Sequence, residues 1–263
     1  MRTVLTPRLR SLFDPRRLPG RLRRRIDRRT TRKVIVRGLA IRMRTSSPRE
    51  RSRVESYSSK EPETLDWIDR LMRPRDVLYD VGANIGQYAI YASLRNGRGL
   101  RALCFEPEST NCASLNYNIV LNDLSESVTA YAVAIADETR FDLRSIQGGL
   151  IAGGALHQLS RVGSAAAFVH AQGVLSVSLD DLVYRFGLDC PSHIKIDVDG
   201  AESLIIRGAT QLLADERLKS VLMELDGYQG DVRRAFADHS FTITREQASS
   251  LGAATTNVVF ERS

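Results

Sequence analysis

The run Val77-Leu78-Tyr79-Asp80-Val81-Gly82-Ala83-Asn84-Ile85-Gly86-Gln87 constrains this chain more than any other stretch. A short apolar strand ends in an acid, a glycine-containing loop follows, and helix-like sequence continues to Arg95. Gly82 has no Cβ, so the chain can turn sharply at the strand end and a ligand can approach closely. A second apolar strand, Ala102-Leu103-Cys104-Phe105, closes on Glu106, which stands 20 positions past Gly86 (106 − 86). A carboxylate that far beyond a glycine turn is placed to accept both hydroxyls of an adenosine ribose. The plainer alternative is a strand-turn-helix with no ligand, and the spacing of Glu106 argues against it.

The loop also says which nucleoside is excluded. A dinucleotide fingerprint, G-x-G-x-x-G, needs glycine where Asn84 and Gln87 stand. A phosphate-binding P-loop needs Gly-Lys-Ser/Thr, and here Gly86 is followed by Gln87-Tyr88. Both pyrophosphate readings weaken. A nucleoside without phosphates, beside an acid (Asp80) able to meet an ammonium group, points to S-adenosylmethionine.

Around this unit the sequence alternates. Strands are expected at 77–81, 102–106, 193–198 and 220–225, with strand-like sequence across 128–135, and helices at 87–95, 109–122 and 201–214. Such alternation implies a mostly parallel sheet with helices on both faces. Two last strands, 241–244 and 257–262, have no helix between them and suit an antiparallel edge. Ahead of these, Lys33 to Met43 reads as a β-hairpin hinged at Gly38, 46–60 as a polar loop, and Glu61 to Arg73 as a helix. Residues 140–177 are glycine-rich and break the rhythm, as an irregular lid or substrate insert would. The division expected is a tail at 1–33, a hairpin and loop at 34–60, and one domain at 61–263.

A second informative run is His193-Ile194-Lys195-Ile196-Asp197-Val198-Asp199-Gly200-Ala201-Glu202. Ligands of open α/β sheets sit beyond the carboxyl ends of the strands. Asp197, Asp199 and Glu202 therefore join Asp80 and Glu106 as site candidates. Alternation puts Lys195, Asp197 and Asp199 on one side. Crowded carboxylates need a proton, a metal or cationic partners. They would serve as a general base for a hydroxyl or as ligands for a divalent cation. Helix capping by Asp199 and Glu202 is the bland alternative. Glu224 and Asp226 end the next strand on the same rim, so Mg²⁺ between Asp197 and either one is compatible with the sequence without being demanded. Among the four histidines, His193 lies at the wrong end of its strand, and His157 and His170 in the insert are the better candidates.

Charge is split. Residues 1–60 hold 20 Lys/Arg against 4 Asp/Glu, whereas 61–263 hold 18 against 27. The basic balance belongs to the Arg-rich tail, read as a disordered segment or a weak contact for anionic membrane surfaces or nucleic acid. Three cysteines without C-x-x-C spacing indicate neither a disulfide framework nor a zinc site. No run reaches a signal-peptide core or a membrane span, and a cytoplasmic protein is expected.

Together these residues resemble the FkbM family of S-adenosylmethionine-dependent methyltransferases. The resemblance runs from about Pro62 to about Asp226. It rests on Asp80 to Gly86, Phe105-Glu106-Pro107 with Asn111 and Asn116, Ala134 to Asp137, Ser178 to Leu182, and Lys195 to Glu202. This chain carries Asp199 where the family pattern has Glu. The resemblance implies a Rossmann-like class I methyltransferase fold, with a mostly parallel seven-stranded sheet and an antiparallel last strand. It implies methyl transfer to a hydroxyl of a sugar, glycolipid or secondary metabolite. It places Glu106 on the ribose, Asp80 and the Gly82–Asn84–Gly86 loop near the methionine part, and Asp137 near the adenine. A nucleic-acid-binding protein or nucleic-acid methyltransferase acting through the tail, and an NAD(P)-dependent oxidoreductase, are the rival readings.

Overall fold

The computed structural model describes residues 30–146, 151–154, 158–161, 170–198, 200–248 and 255–263. Strands β1 (Thr31–Val36) and β2 (Leu39–Arg44) pair antiparallel around Arg37-Gly38. Both turn residues have positive φ, the two-residue geometry that matches strand twist. Helices α1 (Pro48–Glu55) and α2 (Pro62–Leu71) follow.

Then come β3 (Val77–Val81), α3 (Gln87–Arg95), β4 (Arg101–Phe105), α4 (Ser109–Leu121) and β5 (Val128–Tyr131). The chain next builds β6 (Ala134–Ala136), β7 (Arg140–Ile146), β8 (Gln158–Arg161) and β9 (His170–Ser178). After a π-helical turn (Asp181–Arg185) it returns as β10 (His193–Ile196), α5 (Glu202–Arg207), α6 (Thr210–Ala214), β11 (Ser220–Asp226), α7 (Gly230–Asp238), β12 (Phe241–Ala248) and β13 (Thr255–Arg262).

The main sheet has seven strands in the order β12-β13-β11-β10-β3-β4-β5. From β11 to β5 all neighbours are parallel, and β13 runs antiparallel to both β11 and β12. This is the mostly parallel sheet that the alternation implied, with the antiparallel last strand of the Rossmann-like fold that the resemblance implied. The strand order reverses between β3 and β10, so a crevice opens there at the carboxyl ends.

Alternation along the strands divides the core in two. Leu78, Ala102, Cys104, Leu222 and Val259 face α2, α3 and α4, whereas Tyr79, Phe105, Ile196 and Met223 face α5 to α7. Trp67, wholly buried on the first face, also donates its indole N–H to Ser220 Oγ at 3.0 Å. Each such large side chain adds roughly 1.5–3 kcal/mol of burial.

Three expectations are corrected. Residues 46–60 contain α1 rather than only a loop. Ser47 Oγ accepts from Glu50 N, and Glu50 returns the bond to Ser47 N, a capping box. The helix expected at 201–214 breaks at Gly208, where any Cβ would drive into the carbonyl oxygen of Ala136. The described residues of the insert at 140–177 are largely regular, because β7, β8 and β9 join β6 in a second, four-stranded sheet. Its pattern is hard to read because polar residues are buried in it alongside Val174 and Val177. Asp142, Ser145 and Ser176 are buried, while Phe141 is 77% exposed. Arg140 pairs with Asp142 at 3.0 Å and Ser176 Oγ donates to Asp142, so this buried face is satisfied by polar bonds. The greater part of the Arg-rich tail, residues 1–29, lies outside the described residues, as do His157 and Asp199.

Candidate active site at the strand ends

Main-chain bonds between neighbouring strands hold the site. Gly82 N donates to Phe105 O at 3.0 Å, Glu106 N to Tyr131 O at 3.1 Å, and Asp197 N to Val81 O at 3.1 Å. The ends of β3, β4 and β10 are thus fixed against one another. Gly82 has φ +75° and no room for a side chain, because a Cβ would strike the Asp197 carbonyl oxygen. Its closest neighbour is the adjacent strand. Gly86, also at positive φ, is packed under Leu115 of α4.

Glu106 anchors the loop from the other side. Its Oε2 accepts from Asn84 N at 2.8 Å and its Oε1 from Glu108 N at 2.9 Å. Burial pushes the Glu106 carboxyl up, and Arg144 of β7 works against that rise. Asn84, at φ +51°, donates Nδ2 to Gly154 O at 2.7 Å, and Asn111 Nδ2 reaches the same oxygen at 3.2 Å. The segment 151–154 of the insert is therefore strapped over the loop. Asn111 Oδ1 accepts from Gly153 N, Ser47 Oγ donates to Ala152 O, and Arg53 Nε donates to Gly153 O.

Asp80 is the unusual group. It is 1% exposed, and neither carboxylate oxygen has a hydrogen-bond partner of ordinary geometry. Burial raises its pKa to about 6, Asp197 adds to the rise, and Lys195 and the Ala89 N–H offset part of it. Lys195 stands opposite Asp80 in the β3–β10 register. Lys195 is 2% exposed, donates Nζ to Asp197 Oδ2 at 2.8 Å and lies 4.9 Å from the centre of the Tyr88 ring. Burial alone would lower the Lys195 pKa, but Asp197, Glu61 and Asp80 raise it, so it stays an ammonium. Asp197, 28% exposed at its side chain, is held well below the usual carboxylate range by Lys195 and Lys60 against the cost of its crowding. Glu224 moves the other way. Burial and the neighbouring Asp197 charge raise it to about 7.

The remaining candidates separate. Glu202 accepts from Gly200 N at 3.1 Å and from Gln229 Nε2 at 3.3 Å, which serves the start of α5 and the loop before α7. Asp137 is ion-paired with Arg140 at 2.6 Å, and its backbone lies against Gly208 beside the second sheet. The structure thus brings together Asp80, Gly82, Asn84, Gly86, Glu106 and Asp197, and sets Glu202 and Asp137 apart. His193, between Asp76 and Ser220, lies at the amino end of β10, away from the site, and His170 is exposed at the start of β9. Tyr88 and Glu61 had no local signal. Their place follows from α2 and α3 packing on the sheet face that carries Lys195. Among the described residues no group of three or more His, Cys, Asp or Glu is arranged to hold a metal ion.

A family model described as Methyltransferase FkbM domain matches residues 80–247. The 31-O-demethyl-FK506 methyltransferase FkbM of Streptomyces tacrolimicus is 26% identical over 67% of this chain and 76% of its own length. The hexuronic acid methyltransferase AglP of Haloferax volcanii is 27% identical over 57% of this chain, which spans 56% of that protein. A solved structure of a methyltransferase FkbM from Methylobacillus flagellatus matches in fold with a TM-score of 0.51 at 14% identity. That match covers 72% of this chain and 44% of the other.

Proposed function

The chain belongs to the FkbM-domain methyltransferases, and on that premise we propose that it methylates a hydroxyl of a sugar, glycolipid or secondary metabolite, with S-adenosylmethionine as donor. Asp80 carries the reading. A buried carboxylate whose two oxygens have no ordinary hydrogen bond among the described residues is costly, and a cationic ligand would offset that cost. S-adenosylmethionine is cationic at its amino group and its sulfur. Glu106 keeps lone pairs beyond the two given to backbone N–H groups, and these suit the two ribose hydroxyls. The residues therefore fit the cofactor.

When bound, the cofactor supplies a methyl already activated on a positive sulfur. The protein's part is to hold and orient. Glu106 and the 82–86 loop fix the nucleoside, Asp80 receives the cationic end, and Tyr88 with the strap at 151–154 limits water. The rim around Asp197 holds the acceptor hydroxyl and removes its proton. The two relatives are named for 31-O-demethyl-FK506 and for hexuronic acid, which supports a small-molecule or glycan acceptor. Family membership leaves the oxidoreductase reading without support.

Calorimetric titration with S-adenosylhomocysteine, with and without EDTA, tests the proposal. Binding with micromolar or tighter affinity is expected, and a drop in affinity in EDTA would bring a metal into the site. No binding to a folded sample would overturn the cofactor assignment.

A further inference from the structure

Asp80, Lys195, Asp197 and Glu224 stand on one face of the sheet. Alternation puts Asp80 with Leu78 and Cys104, and Glu224 with Leu222, against α2 and α3. Because Ile196 pairs with Met223, the next positions on β10 and β11 place Asp197 beside Glu224 at the carboxyl edge. Two carboxyls so placed repel when both are ionised, and Asp197 raises the Glu224 carboxyl. The two acids are not equivalent. Asp197 gives one oxygen to the Lys195 ammonium, so its basicity is spent. Among the described residues no cation is hydrogen-bonded to Glu224. Across the sheet it faces the neutral Asn257 of β13, whose amide is committed to Glu63 at 2.6 Å.

We propose that Glu224 is the group that takes the acceptor hydroxyl's proton, with Asp197 and Lys195 as its positioning residues. The inference rests on the methyl-transfer reading above. In the step, the hydroxyl oxygen bonds to the methyl carbon as the carbon–sulfur bond breaks. That bond's electron pair stays on sulfur, and the hydroxyl proton passes to a Glu224 carboxylate oxygen. Glu224 must enter the step ionised, and general bases work best when their pKa lies near the working pH. Its raised value of about 7 meets that condition, and the depressed Asp197 does not. Asp197 and Lys195 on β10 and Glu61 before α2 act on Glu224 directly, while Lys60 before α2, Asp80 on β3 and Tyr88 on α3 interact with its neighbour Asp197. Asp197 and Glu61 raise the pKa of Glu224 and Lys195 lowers it.

A base aimed at the transferring methyl also lies next to the sulfonium. Its ionisation should therefore favour S-adenosylmethionine over the neutral S-adenosylhomocysteine. The affinity of both would be measured from about pH 5.5 to about pH 8.5 in the wild type, Glu224→Gln and Asp197→Asn. In the wild type the ratio of the two affinities should rise by about tenfold through a midpoint near 7, the effect of one charge a few ångströms away. Glu224→Gln should bind S-adenosylhomocysteine with a pH-independent ratio. Asp197→Asn should keep the transition but move its midpoint down, a change that a merely structural role would not produce. A flat ratio in the wild type, or a transition that survives Glu224→Gln, would overturn the assignment of Glu224. Failure of the wild type to bind S-adenosylhomocysteine at all would instead overturn the underlying cofactor reading.

Discussion

Glu106 shows how one side chain serves both the fold and the proposed ligand. Its oxygens hold Asn84 N and Glu108 N, which fixes the glycine loop before any ligand arrives. Glu106→Ala should weaken S-adenosylhomocysteine binding about 10- to 100-fold, the loss expected for a charged hydrogen bond worth roughly 1–3 kcal/mol. Unchanged titration would remove Glu106 from the ribose. Gly82 carries a different lesson. Its sequence position suggests room for a ligand, yet the atom it must clear is the Asp197 carbonyl oxygen of the next strand. No single-strand reading could supply that, because β10 arrives more than a hundred residues later. Gly38 has a similar φ but open space around it. Gly38→Ala should therefore cost only about 1 kcal/mol of backbone strain. Gly82→Ala, with strain and collision together, should lower the melting temperature by several times as much in parallel thermal scans.

At the scale of elements, what was legible followed the size of the hydrophobic signal. The strands β3, β4, β10 and β11 are apolar and end in acids, so both their existence and their common rim could be read. The capping box of α1 was present in Ser47-Pro48-Arg49-Glu50 but was hidden by a strongly polar helix in which Val54 is the buried apolar residue. The second sheet was illegible for the opposite reason, since Asp142 and Ser176 share its buried face with Val174 and the large Phe141 is exposed. What the sequence could not show is that this sheet is sewn to the loop around Glu106. Gln172 of β9 bridges Pro107 O and Ser109 N beside Glu106, while the 151–154 strap engages Asn84 and Asn111. Gly153 makes the strap testable without touching the loop. A Cβ there would come within 2.9 Å of Glu50 N, at a φ of +87°. Gly153→Ala should unseat the strap and speed S-adenosylhomocysteine release in stopped-flow dilution, with the far-ultraviolet spectrum unchanged. An unaltered release rate would show that the strap plays no part in retaining the nucleoside.

Over the whole molecule, the site is a place where the fold carries charge at a cost. A mostly parallel sheet buries both faces, so the acids at its carboxyl edge lose water that surface acids keep. Asp76 and Asp215 lie at the opposite, amino end, ahead of β3 and β11, where His193, Lys219 and Arg217 hold their carboxyls well below the usual range. Those groups contribute stability above an ordinary aspartate pKa of 3.8, and the contribution is lost in acid below it. Asp80 has the reverse sign. With its folded pKa raised to about 6 from 3.8, the folded chain binds a proton that the unfolded chain releases between those values. The contribution of Asp80 to stability is present below about pH 4 and falls as pH rises towards 6. Replacing it by Asn should remove that slope and leave the ligand-free protein more stable at about pH 8, by about 1–3 kcal/mol. The same variant should bind S-adenosylmethionine more weakly, because the cation-seeking group is gone. A cationic ligand should in turn restore much of the lost stability to the wild type. At about a hundred times its dissociation constant a ligand adds about 2.7 kcal/mol, or several degrees of melting temperature for a chain of this length. Thermal scans of wild type and Asp80→Asn at about pH 5 and about pH 8, each with and without S-adenosylmethionine, separate the two effects. If the two proteins lost stability in parallel with rising pH, Asp80 would not be the strained group and its role in receiving the cofactor would fall with it.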